Sequence, residues 1–301
     1  MSALGHMIRR NTKLFFKDKG MFFTSLITPL ILLLLFITFL GNVYRDSFQA
    51  FIPAGLTVPE SLSEGFVGGW LFSSLLAVCC VTVAFCSNML MVQDKVTGAR
   101  GDLTIAPVKK SILAMAYYLS TALTTLIICA VALAACFLYL WGTGWYLSPA
   151  DVLLTCLDVF LLVMFGTALS SVVNFFLSTQ GQISAVGTIV SACYGFLCGA
   201  YMPISQFSGG IQNFISLLPG TYGTSLLHNH LMRGVLQELE AGYLPAEMVE
   251  GLRDGFDNNL YFFGSRVETG TMYLILGGSV VLLAAAYVLL NMTGRRKRDR
   301  A

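Results

Sequence analysis

The sequence predicts an all-α integral membrane protein: six transmembrane helices, an N-terminal amphipathic interfacial helix, and two short re-entrant outer helices before the last span. Three observations carry this reading. The chain of 301 residues is 56% hydrophobic and only 11% charged, whereas soluble domains are about 45–50% apolar. Its apolar residues fall into long unbroken runs, and a hydrocarbon core needs roughly 20 of them per helical crossing. Its cations concentrate in alternate connecting segments, the pattern that sets membrane orientation.

Five runs are plain, at about 21–41, 66–92, 112–141, 152–177 and 272–292, and a shorter, uncharged sixth lies at about 183–200. Runs this long are not the alternating strands, about 10 residues each, of an outer-membrane barrel. The first run follows Arg9, Arg10 and Lys13, yet it is too long for a signal peptide, and GNVYRD follows it where a cleavage site belongs. Lys17-Asp18-Lys19 interrupts any twin-arginine export signal. The chain thus divides into a 1–20 helix and a 21–301 transmembrane domain.

Before span one, residues 1–20 place Leu4, Met7, Ile8, Leu14 and Phe15 on one helical face, with Arg9, Arg10, Lys13 and Lys17 opposite. Such a helix lies in the headgroup plane with its cations toward anionic lipid; the plainer reading is a positive-inside anchor. Of 18 cations, 14 lie before span one, between spans two and three, or after span six. The remaining four are Arg45, Arg233, Arg253 and Arg266, and 11 of the 16 acids share their side. Both termini and the 93–111 loop are therefore expected in the cytoplasm. On the other side, 202–234 is too apolar for a free loop and is divided by Pro203 and Pro219, which suggests the two re-entrant helices. The acidic 237–268 stretch reads as a small exposed helical cap.

All eight cysteines lie inside apolar runs without a CxxC pair, so they read as small buried hydrophobes. There is no GxxxxGK[ST] phosphate loop and no HExxH, GxSxG or GxGxxG. His228-Asn229-His230 reads as a polar turn near the outer surface in preference to a metal site. Asp158 lies about seven residues inside span four, where an acid is expensive. It is either a substrate or ion contact or a polar structural contact, with Arg45 or Arg266 as partner. Gly187, Ser191, Gly195 and Gly199 recur every four residues in span five. That stripe is an intramolecular packing seam, or else a subunit interface or pathway wall. Asn88 and Asn174 read as hydrogen-bonding links between helices.

The basic first helix, six spans, proline-broken segments after span five and the charged stretch VQDKVTGARGDLTIAPVKKS (92–111) resemble the ABC-2 type permease family over essentially the whole chain. The family's run after span two is matched by Asp94-Lys95, Gly98, Leu103 and Ala106-Pro107, with Ala106 where threonine is usual and Ala99-Arg100-Gly101-Asp102 replacing a tighter Gly-Thr-Leu-Glu run. The resemblance implies a permease subunit of a bacterial ABC exporter in the cell (inner) membrane, moving an amphipathic substrate outward. It implies that Asp94, Lys95, Val96, Gly98, Arg100, Asp102, Leu103 and Pro107 couple the chain to a separate ATP-binding subunit. ATP and magnesium would bind that subunit, and no cofactor would bind this chain. A second permease subunit, identical or related, and membrane lipid are the other implied partners; nucleic acid is not. The rival reading is a carrier driven by an ion gradient, but such carriers show internal repeats and more intramembrane ionisable groups.

Overall fold

The computed structural model describes residues 3–53, 56–105 and 109–298. Helix α1 (Ala3–Lys17) ends where Asp18 leaves helical geometry, and the Asp18 carboxylate accepts the Met21 N–H at 3.0 Å to start α2 (Lys19–Leu35). A π-helical turn at Phe36–Leu40 leads directly into α3 (Gly41–Ala50). Lys19–Ala50 is thus one helical rod of 32 residues, about 48 Å long at 1.5 Å per residue.

Helix α4 (Glu60–Val96) is the central pillar, with side chains from Phe66 to Asn88 buried all round. After the short α5 (Ala99–Ile105), the helices α6 (Lys110–Thr143) and α7 (Pro149–Phe176) pack against two sides of it. Helices approach closely only where side chains are small. At Gly166 of α7 a Cβ would sit 2.9 Å from the Cys80 carbonyl oxygen of α4. Further along the same seam, the Asn88 amide donates to Ser170 Oγ at 3.0 Å and Ser171 Oγ at 2.9 Å. The start of α7 is fixed by Pro149 and a capping box, in which Ser148 and Asp151 satisfy each other's backbone N–H groups.

The following helix, α8 (Gln180–Leu197), is capped in the same way by Thr179 and Gln182. It has 18 residues, so it reaches about 27 Å. With the last helix, α12 (Thr269–Arg298), there are five helices among the described residues long and apolar enough to cross a membrane: Lys19–Ala50, Glu60–Val96, Ser111–Thr143, Pro149–Phe176 and Thr269–Met292. α8 is not among them, because Gln180, Gln182, Ser184 and Thr188 dilute its apolar character.

The segment between α8 and α12 departs from the sequence reading. A 3₁₀ turn (Ile204–Gln206) and the eight-residue α9 (Gly209–Ser216) precede α10 (Pro219–Gly242), which has 24 residues and is not short. Gly220, Gly223 and Gly234 let α10 lie directly against Tyr194, Leu162 and the Tyr146 backbone, so it is a core element. The expected polar turn at His228-Asn229-His230 lies in the middle of this helix, with both histidines buried. Beyond it, α11 (Ala246–Gly255) is followed by a two-stranded ribbon, β1 (Leu260–Phe262) and β2 (Ser265–Val267), where a purely helical cap was expected. Phe263 and Gly264 both have positive φ, the geometry of the tightest hairpin turns. Tyr44, Phe48, Phe66, Trp70 and Phe256 form an aromatic cluster that binds this cap to α3 and α4.

Candidate functional site

The end of the bundle that carries α1 and α5 is built around two adjacent residues. Asp94 and Lys95 lie on the last turn of α4 and point in different directions. The Asp94 carboxylate is 5% exposed and accepts Arg10 Nη1 at 2.8 Å, Arg10 Nη2 at 3.2 Å and the Tyr117 hydroxyl at 2.6 Å. It therefore ties α1 and α6 to α4, and its hydrogen bonds hold the Arg10 guanidinium above its usual pKa. Lys95 Nζ donates to the carbonyls of Asn174, Phe175 and Leu177 at 2.9–3.0 Å. A cation there satisfies orphan carbonyls and complements the negative end of α7. This charged pair is thus absorbed internally and does not project from the surface.

What does project is the short helix beyond it. Gly98 has φ +84°, a left-handed geometry that costs glycine little and other residues more, and it turns the chain from α4 into α5. Ile105 at the far end is 85% exposed and Val96 is 46% exposed, while Asp102 is also on the surface. Leu103, expected to couple to the ATP-binding subunit, packs instead against the protein's own core cluster, which includes Met7, Met91 and Leu113. Arg100 is half-buried, and Pro107 lies outside the described residues.

On α1, Arg9, Lys13 and Lys17 are exposed, whereas Arg10 is taken up by Asp94. The apolar face of α1 does not simply face lipid: Leu4, Met7 and Ile8 pack against the α6 cluster around Tyr117. The sequence reading missed Tyr117. A tyrosine two turns into an apolar run carries no signal of its own without knowledge of what faces it.

A cavity of about 1060 Å³ opens between α2 and α8, with α4 behind it. Thr24, Thr28, Ser184 and Thr188 line its sides, Ile31, Leu35 and Phe196 make it apolar, and Asp18, Gln93 and Gln180 gather at one end. The span-five stripe divides here. Gly187 and Ser191 line the cavity. Gly195 instead receives the Tyr201 ring, and Gly199 turns the chain with φ +75°.

Asp158 lines none of this cavity. It is 0% exposed, and its oxygens meet His230 Nδ1 and the Tyr273 hydroxyl, each at 2.6 Å. The arginines expected as its partners are occupied elsewhere, Arg45 with Glu64 and Arg266 with Glu250. A buried acid is satisfied by donors close in space, and nothing in the sequence links position 158 to positions 230 and 273.

Residues 2–231 match the family model described as ABC-2 type transporter. The chain belongs to this family. No curated protein matches it. The matched region runs from α1 to the middle of α10, and so includes the α4–α5 junction and the cavity. As an ABC-2 type transporter chain it is a multi-pass membrane protein and a permease subunit of an ABC transporter, a family whose members work with an ATP-binding subunit.

Proposed function

We propose that this permease serves an exporter, that a separate ATPase subunit docks on α5 and the exposed face of α1, and that an amphipathic substrate moves along the α2–α8 cavity. The carrying observation is the mount behind α5. A short helix ending in an 85% exposed isoleucine is anchored through Asp94 to two helices and through Lys95 to a third. An element that transmits force needs an apolar tip for a partner and a base that does not shear. Both are present in one stretch of 13 residues, from Gln93 to Ile105.

The cation distribution supports a cytoplasmic position for α1, α5 and both termini, in the membrane of a bacterial cell on this reading. α8 is then the sixth crossing, which returns the chain to that side after α12. The cavity suits an amphiphile because Asp18, Gln93 and Gln180 gather at one end while hydroxyl groups and apolar side chains together line its length. A second permease subunit completes the assembly against the lipid-facing sides of α2 and α8.

The test is co-purification from the native membrane followed by ATP hydrolysis and transport in reconstituted vesicles. Ile105→Asp places an unpaired charge in the docking contact and is expected to lower ATPase recovery at least tenfold, with insertion unchanged. Gly98→Pro is expected to do the same, since proline cannot adopt positive φ. Normal recovery and normal ATP-driven transport by Ile105→Asp would overturn the docking assignment. If no ATPase accompanies even the unaltered chain, and an ion gradient drives transport, the chain is a carrier.

A further inference from the structure

The Asp158 cluster joins three elements and stands apart from both the α5 mount and the cavity. His230 comes from α10 and is 5% exposed, Tyr273 comes from α12, and Asp158 itself from α7. With tyrosine and imidazole N–H both donating, the carboxylate is satisfied, but the cluster carries one net negative charge in apolar surroundings. A charge without a counter-charge is costly there. One added proton cancels it, whether it sits on the free imidazole nitrogen or on the carboxylate.

The neighbouring ionisable groups do not supply that cancellation. On α7, Asp151 is paired with Arg233 of α10 at 3.3 Å, and Cys156 is a free, exposed cysteine. On α4, the Cys80 thiol faces the Val159 carbonyl at 3.9 Å, and Ser74 Oγ meets His228 Nε2 of α10 at 3.2 Å. In the cap, Asp257 directs its carboxylate to the Ile204 and Ser205 N–H groups, and only its main-chain carbonyl meets α10, at Ser225.

We propose that Asp158, His230 and Tyr273 form a proton-binding site that clamps α10 to α7 and α12, closed when the proton is bound and loosened when it leaves. With the proton, the α7–α10 seam holds a close ion pair or a neutral hydrogen-bonded pair. Without it, the seam holds one uncompensated charge, which is relieved by admitting water. α10 is the element that the clamp holds in the core, between α7 and α12. It is not among the described helices long and apolar enough to cross a membrane, and it connects α9 to the outer cap. The site thus makes the outer half of the bundle sensitive to pH.

The experiment is amide hydrogen exchange of the full chain in lipid nanodiscs from pH 5.5 to 8.5, corrected for intrinsic rates and read on peptides covering 219–242. Protection of α10 is expected to fall as pH rises, by up to about tenfold per unit, the limit for one linked proton. His230→Gln keeps an N–H donor for Asp158 and is expected to flatten the profile. Asp257 and the Asp151–Arg233 pair are unchanged in that variant, so the difference belongs to the cluster. A flat profile in the unaltered chain, or the same fall in His230→Gln, overturns the proposal. If His230→Gln does not fold, Asp158→Asn takes its place, and an unchanged profile there overturns it equally.

Discussion

Removing the carboxylate that joins α1, α4 and α6 tests the architecture most directly. Asp94→Ala leaves the Tyr117 hydroxyl, on a residue only 2% exposed, without its acceptor. An orphaned buried polar group costs about 1–3 kcal/mol. The Arg10 side chain is 32% exposed, so water recovers most of its guanidinium, and the lost pair adds no more than about 1 kcal/mol. The expected loss is about 3 kcal/mol, or roughly a hundredfold in the folding equilibrium. Arg10→Met alone leaves the buried Asp94 carboxylate with Tyr117 but no cation, and is expected to cost about 1–3 kcal/mol. The double variant should then fall short of the sum of the two, since Arg10 has nothing left to lose once Asp94 is gone. The assay is reversible unfolding in mixed detergent micelles, completed as a double-mutant cycle. Asp94→Ala within about 0.5 kcal/mol of the unaltered chain, or additivity within about 0.3–0.5 kcal/mol, refutes the reasoning.

Three further outcomes follow from contacts described above. Gly166→Ala forces its methyl against the Cys80 carbonyl and, at 3.0 Å, the Val81 Cα, both backbone atoms, so a loss of about 1–3 kcal/mol is expected in the same unfolding assay. Lys95→Met keeps the apolar stem but frees three carbonyls, and hydrogen exchange should show the last turn of α7 fraying while α5 stays helical. Burial pushes the Asp257 carboxyl up to about 7, far above an unfolded value of about 3.9. The folded protein therefore holds the proton more tightly. This contribution to stability is complete below about pH 4 and is lost as pH rises through about 7. Asp257→Asn should remove that decline from the exchange of residues 203–206, and an unaltered decline would show that the carboxyl ionises normally.

Five of the six expected spans were legible because lipid imposes a length and a polarity on each helix, and those appear as runs. The outer segments were not. α10 mixes His228, Asn229, His230 and Arg233 with leucines, and a helix enclosed by other helices needs no continuous apolar stretch. The charged pair at 94–95 was easily found as a pair. Its inward direction was not legible, because it depends on Arg10 and Tyr117 arriving from elements 84 and 23 residues away in sequence. Leu103 shows the same limit: on a seven-residue helix the apolar face follows from what lies beneath it.

The π turn in the first rod has a consequence for insertions and deletions. Below it, Ile27, Ile31 and Leu35 face the cavity at intervals of four; above it, Leu40, Tyr44 and Phe48 continue at intervals of four toward the cavity's upper edge and the aromatic cluster. Between Leu35 and Leu40 the interval is five. One extra residue thus keeps both halves of the rod on their respective partners. Deleting a single residue such as Thr38 would restore regular α-helix and leave the composition of the span almost unchanged. It would also rotate Tyr44 and Phe48 by about 100° away from Trp70 and Phe66. A hydropathy plot cannot see that change, yet it separates the cap from the rod that supports it.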